Sequence, residues 1–425
     1  MTYLDELNEV QRNAVVKTEG PVMVLAGAGS GKTRVLTYRV AHLIENNVDP
    51  FHILSLTFTN KAAREMKKRI SVIVGESLAR SLWMGTFHSV FSKILRFEAD
   101  KIGYPSNFTI YDMDDSKNLL KSIIKEMKLD DKVYKPSLVQ RRISAAKNGL
   151  ISASEYAQDT SIYNDDVQAK KPLLGKIYLT YEKRCFRASA MDFDDLLFKT
   201  NILLKQHANV LLKYQTKFQY ILVDEFQDTN FAQSNILKML AARHENICVV
   251  GDDAQSIYAF RGANIQNILQ FKSIYPDAEI FKLEQNYRST KTIVEAANQV
   301  IKQNQDQLKK NVWTSNDSGD LIKLIKCLSE SEEGNFIASE ILDIKSDQKI
   351  DDEGFAILYR TNAQSRAIEE ALRRKNIPYR IYGGLSFYQR KEIKDLLAYF
   401  KMCINPNDEE AFKRILNYPA RGIGQ

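Results

Sequence analysis

The chain has 425 residues, is 44% hydrophobic and carries a formal charge of +7, which allows about two to four domains with real cores and suits contact with an anionic polymer. No apolar run is long enough to cross a bilayer and the N-terminus lacks a signal-peptide core, so no membrane association and a reducing, cytoplasmic setting are expected. The four cysteines (Cys185, Cys248, Cys327, Cys403) are too scattered for a metal-ligand set or a disulfide framework, and Cys248 reads as a small core residue.

Short apolar strands alternate with amphipathic helices, the pattern of an α/β fold. Strands are predicted at Val22–Ala26, Ile53–Phe58, Trp83–Thr86, Tyr220–Asp224, Ile247–Gly251, Glu279–Leu283, Leu321–Ile325, Phe355–Tyr359 and Tyr379–Tyr382. From Asp112 to about Ala188 the alternation lapses into a helix-rich insertion without a buried strand. Within it Lys117, Lys121 and Lys125 recur opposite Leu120, Ile123, Ile124 and Met127. With Arg141, Arg142 and Lys147 they form either a duplex-facing basic surface or, favoured about two to one, solvated helix faces. The polar passage Gln303–Asp317 and the loop Ser346–Gly354 punctuate a second α/β unit.

The first strand runs into Ala26-Gly27-Ala28-Gly29-Ser30-Gly31-Lys32-Thr33. Glycines let backbone N–H groups turn around phosphate oxygens, and the helix that follows offers its positive end. Lys32 is expected to reach the β- and γ-phosphates and the Thr33 hydroxyl to ligate Mg²⁺. The strict pattern wants glycine in place of Ala26, so an ordinary Gly-Ser loop keeps odds of about one in ten. After the second strand, Phe58, Thr59 and Asn60 stand where a base and phosphates can be held, and Gly85-Thr86-Phe87-His88-Ser89 repeats the arrangement. Thr86 and His88 are expected at phosphates; a lone histidine is otherwise a structural hydrogen-bonder.

Ile221-Leu222-Val223 stops abruptly at Asp224 and Glu225. One carboxylate can hold Mg²⁺, directly or through water, while its neighbour accepts a proton from an attacking water. Alone, that pair is a weak signal; beside a phosphate loop it marks a metal-nucleotide site. Downstream, Gln255 is placed to bond the γ-phosphate or the attacking water, and Tyr258, Phe260 and Arg261 offer stacking faces and charge to a single strand. In isolation that loop is as often an ordinary aromatic packing segment.

Taken in order, the phosphate loop, Thr57–Ala63, Gly85–Ser89, Asp192-Phe193-Asp194-Asp195-Leu196, Val223–Asp228, Gly251–Ala263 and Leu283-Glu284-Gln285-Asn286-Tyr287-Arg288-Ser289 resemble a UvrD/PcrA/Rep-type helicase of superfamily 1. The resemblance covers essentially the whole chain. It implies RecA-like P-loop NTPase motor domains, parallel sheets flanked by helices, with helical insertions, and 3′-to-5′ movement on DNA driven by ATP and Mg²⁺. By it Gln11 reads adenine, Arg34 and Tyr287 flank the base, and Arg288, from the second motor domain, touches the γ-phosphate. Lys32 and Arg288 stabilise phosphate charge, Glu225 activates water, and Asp224 with Thr33 holds the metal. Arg360 and Asn362 grip the strand, so single-stranded DNA and single/double-strand junctions are the expected partners. Phe226, Ala259 and Phe260 depart from the family's usual tyrosine, basic residue and tryptophan; stacking weakens, and the ATP chemistry is untouched.

The expected domains are 1–111 with 189–280 (first motor), 112–188 (helical insertion), 281–384 (second motor, first part) and 385–425 (start of a second insertion). The family's later Thr-His-x-(Ala/Ser)-Lys-Gly-Leu-Glu segment and final arginine motif do not occur before Gln425. The expectation is therefore the N-terminal portion of a helicase, inactive alone. An alternative is a fragment that binds ATP and DNA without productive turnover. Little sequence remains to cover the apolar faces of helices predicted at Lys391–Cys403 and Glu409–Leu416.

Overall fold

The computed structural model describes residues 3–305, 307–383 and 387–423. Its strands are β1 (Val22–Ala26), β2 (Ile53–Thr57), β3 (Trp83–Thr86), β4 (Thr109–Tyr111), β5 (Ala190–Asp192), β6 (Tyr220–Val223), β7 (Ile247–Gly251) and β8 (Glu279–Leu283). Six build one sheet in the order β3-β2-β6-β7-β1-β8, and every neighbouring pair is parallel. β1 is central to the site: Val22 faces Cys248 across one ladder and Glu279 across the other.

Parallel strands need crossovers, and helices supply them, so both faces of the sheet are covered. Met23 and Leu25 point into a core with Leu54, Phe91 and Val249. Val22, Val24 and Ala26 point into the opposite core with Val35, Leu36 and Cys248. Burial on both faces is why these strands read as unbroken apolar runs; each fully buried Val or Leu stabilises by about 1.5–3 kcal/mol. The C-terminal ends of all six strands share one edge, the usual ligand-binding side of such a sheet.

The six predicted N-terminal strands form with ends shifted by at most one residue. Among the described residues of 112–188 there is no strand, and the helices there close over their own core of Leu119, Ile123, Val139, Ile177 and Tyr181. The short parallel pair β4–β5, which flanks this insertion, was not expected. Lys117, Lys121 and Lys125 are exposed, as the helical spacing requires. Lys147 is a correction: it is 1% exposed, its Nζ 2.6 Å from Asp192 and 2.9 Å from Asp195. Two buried carboxylates hold it inside, where it cannot meet a duplex. Arg142 likewise pairs with the buried Asp166 at 2.6 Å.

The chain divides into two compact units, 1–319 with 397–425 and 320–396. In the second, helices Glu330–Gln348 and Ser365–Arg374 pack through Ala338, Ile341, Ile368, Ala371 and Leu372. Gly334 permits the approach, since a Cβ there would stand 2.9 Å from the Ala367 carbonyl oxygen. The strands expected at Leu321–Ile325, Phe355–Tyr359 and Tyr379–Tyr382 do not form. Phe355, Ile357 and Tyr359 pack on the helices while Leu358 is 94% exposed. The alternation is that of a strand, but a strand also needs a neighbouring backbone for its ladder. The expected boundary at 384/385 falls outside the described residues.

Within the first unit, the segment 397–423 docks on the insertion. Asn405, 2% exposed, donates through Nδ2 to Thr109 Oγ1 (2.9 Å) and to the carbonyls of Ala188 (2.9 Å) and Ser189 (3.2 Å). Arg184 pairs with Glu409 and, at 2.8 Å, with Glu126. Ala398 and Ala411 are buried, while Phe400, Ile404 and Phe412 remain exposed.

Candidate functional site

The phosphate loop leaves the buried end of β1 and enters α2 (Lys32–Glu45). Gly29 and Gly31 adopt φ of +68° and +87°, the left-handed region that glycine enters without steric cost. Space requires glycine as well: a Cβ on Gly29 would lie 2.6 Å from Asn286 Nδ2, and one on Gly31 2.8 Å from Gln11 Nε2. Gln11 belongs to α1 (Glu9–Val16), where it forms a reciprocal cap with Asn8. It is 2% exposed, and its Nε2 donates to the Ser30 carbonyl at 2.9 Å. Ser30 Oγ donates to the Gly27 carbonyl at 2.7 Å. The loop is thus shaped by the protein itself. Thr33 is half-buried at the start of α2, while Arg34 and Ala28 are exposed.

Glu225 follows β6 with φ +49° and ψ +46°, a left-handed conformation that non-glycine residues rarely hold. That turn brings its Oε2 to 3.4 Å from Lys32 Nζ and within 2.9 Å of Gln227 Nε2. Asp224 is 5% exposed; burial, then the adjacent Glu225 charge, push its carboxyl up to about 7. Asp228 is pushed up to about 6 by the same two causes, and its Oδ1 has no hydrogen-bond partner. These carboxyls are short of positive charge, which fits a divalent cation beside a phosphate chain. Among the described residues no group of three or more His, Cys, Asp or Glu side chains could hold a metal. Mg²⁺ held by Asp224 and Thr33 would therefore also depend on phosphate and water oxygens.

Tyr287 and Arg288 lie against the same loop. Tyr287 N donates to the Gly29 carbonyl at 3.0 Å, and its hydroxyl accepts from Asn8 Nδ2 at 2.8 Å. Asn286 Nδ2 donates to the Ala28 carbonyl at 2.7 Å, and Asn286 Oδ1 accepts from Arg288 N at 2.9 Å. Both belong to the same compact unit as the phosphate loop. Arg288 is exposed.

Along the same sheet edge stands a comb of aromatic rings. Phe58 and Tyr258 lie 5.4 Å apart, Tyr258 and Phe260 5.9 Å apart, and the Arg261 guanidinium sits 5.1 Å over Tyr258 and 5.4 Å over Phe260. Phe260 is 77% exposed, a face held out to solvent. Thr59 and Thr86 cap the helices that follow, accepting from Ala62 N and Ser89 N, and Asn60 is exposed beside them. His88 stacks on Phe193 at 3.9 Å, and burial lowers its pKa to about 4. It is neutral at pH 7, so it can serve a phosphate as a hydrogen-bond donor and not as a cation. Arg360 and Asn362 are exposed in the second unit.

Between the carboxylates and the comb lies a relay the sequence did not reveal. Gln227 Oε1 accepts from Asp252 N at 3.0 Å, and Gln255 Nε2 donates to Asp252 Oδ2 at 2.7 Å. Gln227 joins Glu225 to the turn from which Gln255 and Tyr258 spring. Its only sequence signal was its place two residues past Glu225.

The chain matches the UvrD/REP helicase N-terminal domain over residues 7–276 and the UvrD-like helicase C-terminal domain over residues 281–425. It is 47% identical over 423 residues to an ATP-dependent DNA helicase PcrA of Staphylococcus aureus, covering 99% of this chain and 57% of that protein. The PcrA of Bacillus subtilis is 49% identical over 422 residues, with 99% and 56% covered. That of Leuconostoc citreum is 45% identical over 424 residues, with 100% and 56% covered. The chain thus spans a little over half the length of these relatives. Matches to both family models lend no support to an inactive fragment. Among the described residues no helix is long and apolar enough to cross a membrane.

Proposed function

Since the chain belongs to the UvrD/REP helicase family, we propose that it is an ATP-dependent motor that moves 3′ to 5′ along single-stranded DNA and opens duplex at single/double-strand junctions. The observation that carries this reading is the convergence, on one sheet edge, of the Lys32–Glu225 pair at 3.4 Å and the Phe58–Tyr258–Phe260 comb, half-buried at Phe58 and Tyr258 and open to solvent at Phe260. A phosphate cradle alone would support any NTPase; a stacking platform linked to it supports one driven by nucleic acid.

Lys32 and the N–H groups of the phosphate loop bind the β- and γ-phosphates, with Arg288 adding charge beside them. Asp224 and Thr33 would hold Mg²⁺, which when bound supplies charge neutralisation on the phosphate oxygens. Glu225 accepts the proton of the attacking water, and Gln255 orients that water or the γ-phosphate. Gln11, Arg34 and Tyr287 surround the base. Thr59, Asn60, Thr86, His88 and Arg261 contact the strand's backbone while Phe58, Tyr258 and Phe260 stack on its bases; Arg360 and Asn362 are further DNA contacts.

The test is ATP hydrolysis by this chain with and without oligo(dT). Stimulation by DNA, abolished in Lys32→Ala and Glu225→Gln, is expected. Hydrolysis that is indifferent to DNA would end the motor reading and leave a simple NTPase. Equal stimulation by RNA would remove the assignment to DNA.

A further inference from the structure

Residues 308–314 form a strap that touches three parts of the site, all within the first unit. At one end Leu308 N donates to Asp253 Oδ2 at 2.7 Å, and Lys310 Nζ lies 2.8 Å from Asp252 Oδ1 and also pairs with Asp253. In the middle Val312 lies over the phosphate loop: a Cβ on Gly27 would come 2.6 Å from Val312 Cγ2. At the far end Trp313 N donates to the Glu284 carbonyl at 2.9 Å, and the Trp313 carbonyl accepts from Asn286 N at 2.7 Å.

The ion cluster at the first end is closed to water. The side chains of Lys310, Asp252 and Asp253 are 6%, 3% and 0% exposed. All four carboxylate oxygens have partners: Asp252 Oδ1 accepts from Lys310 and Ala254 N, Asp252 Oδ2 from Gln255, Asp253 Oδ1 from Lys310 and Asp253 Oδ2 from Leu308 N. A fully satisfied buried network of this kind fixes a single conformation. What it fixes is the turn that leads into the segment bearing Gln255, Phe260 and Arg261, all exposed, and the half-buried Tyr258.

We propose that Lys310 is a positioning residue: it locks the Asp252–Asp253 turn and, through the strap, ties the DNA-facing loop to the phosphate loop and to Asn286–Arg288. The inference rests on the motor reading above and deepens it, because it names the side chain through which strand contact and nucleotide turnover are coupled. A buried ion pair that merely holds the fold together would have a different signature. Its loss would lower stability, and any recovery of stability would recover function with it.

The experiment measures melting temperature, kcat and KM for ATP, and stimulation by oligo(dT) in the wild-type chain, in Lys310→Met and in Lys310→Met/Asp253→Asn. The double variant keeps the net charge of the cluster, and it stands in for the single variant should that not fold. The ratio of stimulated to unstimulated kcat is expected to fall about fivefold or more in both variants. KM for ATP should stay within about twofold, and the melting temperature of the double variant should return toward wild type. Wild-type stimulation in a double variant of recovered stability would overturn the proposal. A wild-type chain with no stimulation at all would overturn the motor reading, and the role of Lys310 with it.

Discussion

Glu225 carries the most strained backbone among the proposed catalytic residues. A left-handed conformation costs a residue with a Cβ about 1–2 kcal/mol. The partly exposed pair with Lys32 at 3.4 Å returns about 1 kcal/mol at most. Glu225→Gly is therefore expected to be more stable than Glu225→Ala by about 0.5–1 kcal/mol in urea unfolding, since both lose the side-chain contacts and only alanine keeps the strain, and both should lose ATP hydrolysis. An alanine variant as stable as the glycine variant would show that the strain is not there. Asp224 yields a second prediction. A carboxyl whose folded pKa is raised contributes stability that is full below its unfolded value and lost as pH rises through the folded one. In magnesium-free buffer, stability should fall between about pH 4 and pH 7, where Asp224 stands raised to about 7. Asp224→Asn should flatten that decline, and an unchanged slope in the variant would assign it to other groups.

Among the elements, the insertion turns on one ammonium. Lys147 joins its helix to Asp192 and Asp195 beside β5, and Tyr181 donates to the same Asp192 at 2.9 Å. Lys147→Met would leave two buried carboxylates without their cation and should cost about 3–5 kcal/mol. Urea unfolding checks this; a cost under about 1 kcal/mol would mean that water reaches the cluster. The sequence showed why Lys117, Lys121 and Lys125 face outward, because helical spacing is local. It could not show that Lys147 turns in, since its partners lie 45 and 48 residues ahead. The same division holds elsewhere. The phosphate loop, the carboxylates and the aromatic loop were legible because each is a short motif at a strand end. Gln227 and the strap at 308–314 were not, because they act through contacts with distant segments. The polar passage Gln303–Asp317 looked like punctuation, and its function as a strap comes from where it crosses. Likewise Phe355–Tyr359 has a strand's alternation, but no sequence pattern guarantees a partner backbone.

For the whole molecule, the balance of covered and uncovered apolar surface differs between the two units. In the second, Leu321, Leu324, Leu328 and Leu358 are 82%, 98%, 91% and 94% exposed. Apolar side chains exposed at this density bind amphiphilic dyes. The folded chain should enhance anilinonaphthalene sulfonate fluorescence, and Leu324→Lys/Leu358→Lys should reduce the signal without moving the melting temperature. An unaltered signal would assign the dye to another surface.

β1, whose end forms the phosphate loop, has β7 on one side and β8 on the other. Both are made more than two hundred residues later. At a synthesis rate of about 5–20 residues per second, Val22–Ala26 waits roughly 10–50 s for its neighbours. During that interval five side chains destined for complete burial have no ladder to join, and the nascent chain is open to chaperones and to misfolding. Nascent chains arrested before Ile247 should be cut by protease within β1, whereas chains arrested well past Leu283 should resist. The glycine-rich loop after β1, early in sequence, is among the last parts of its unit to take shape.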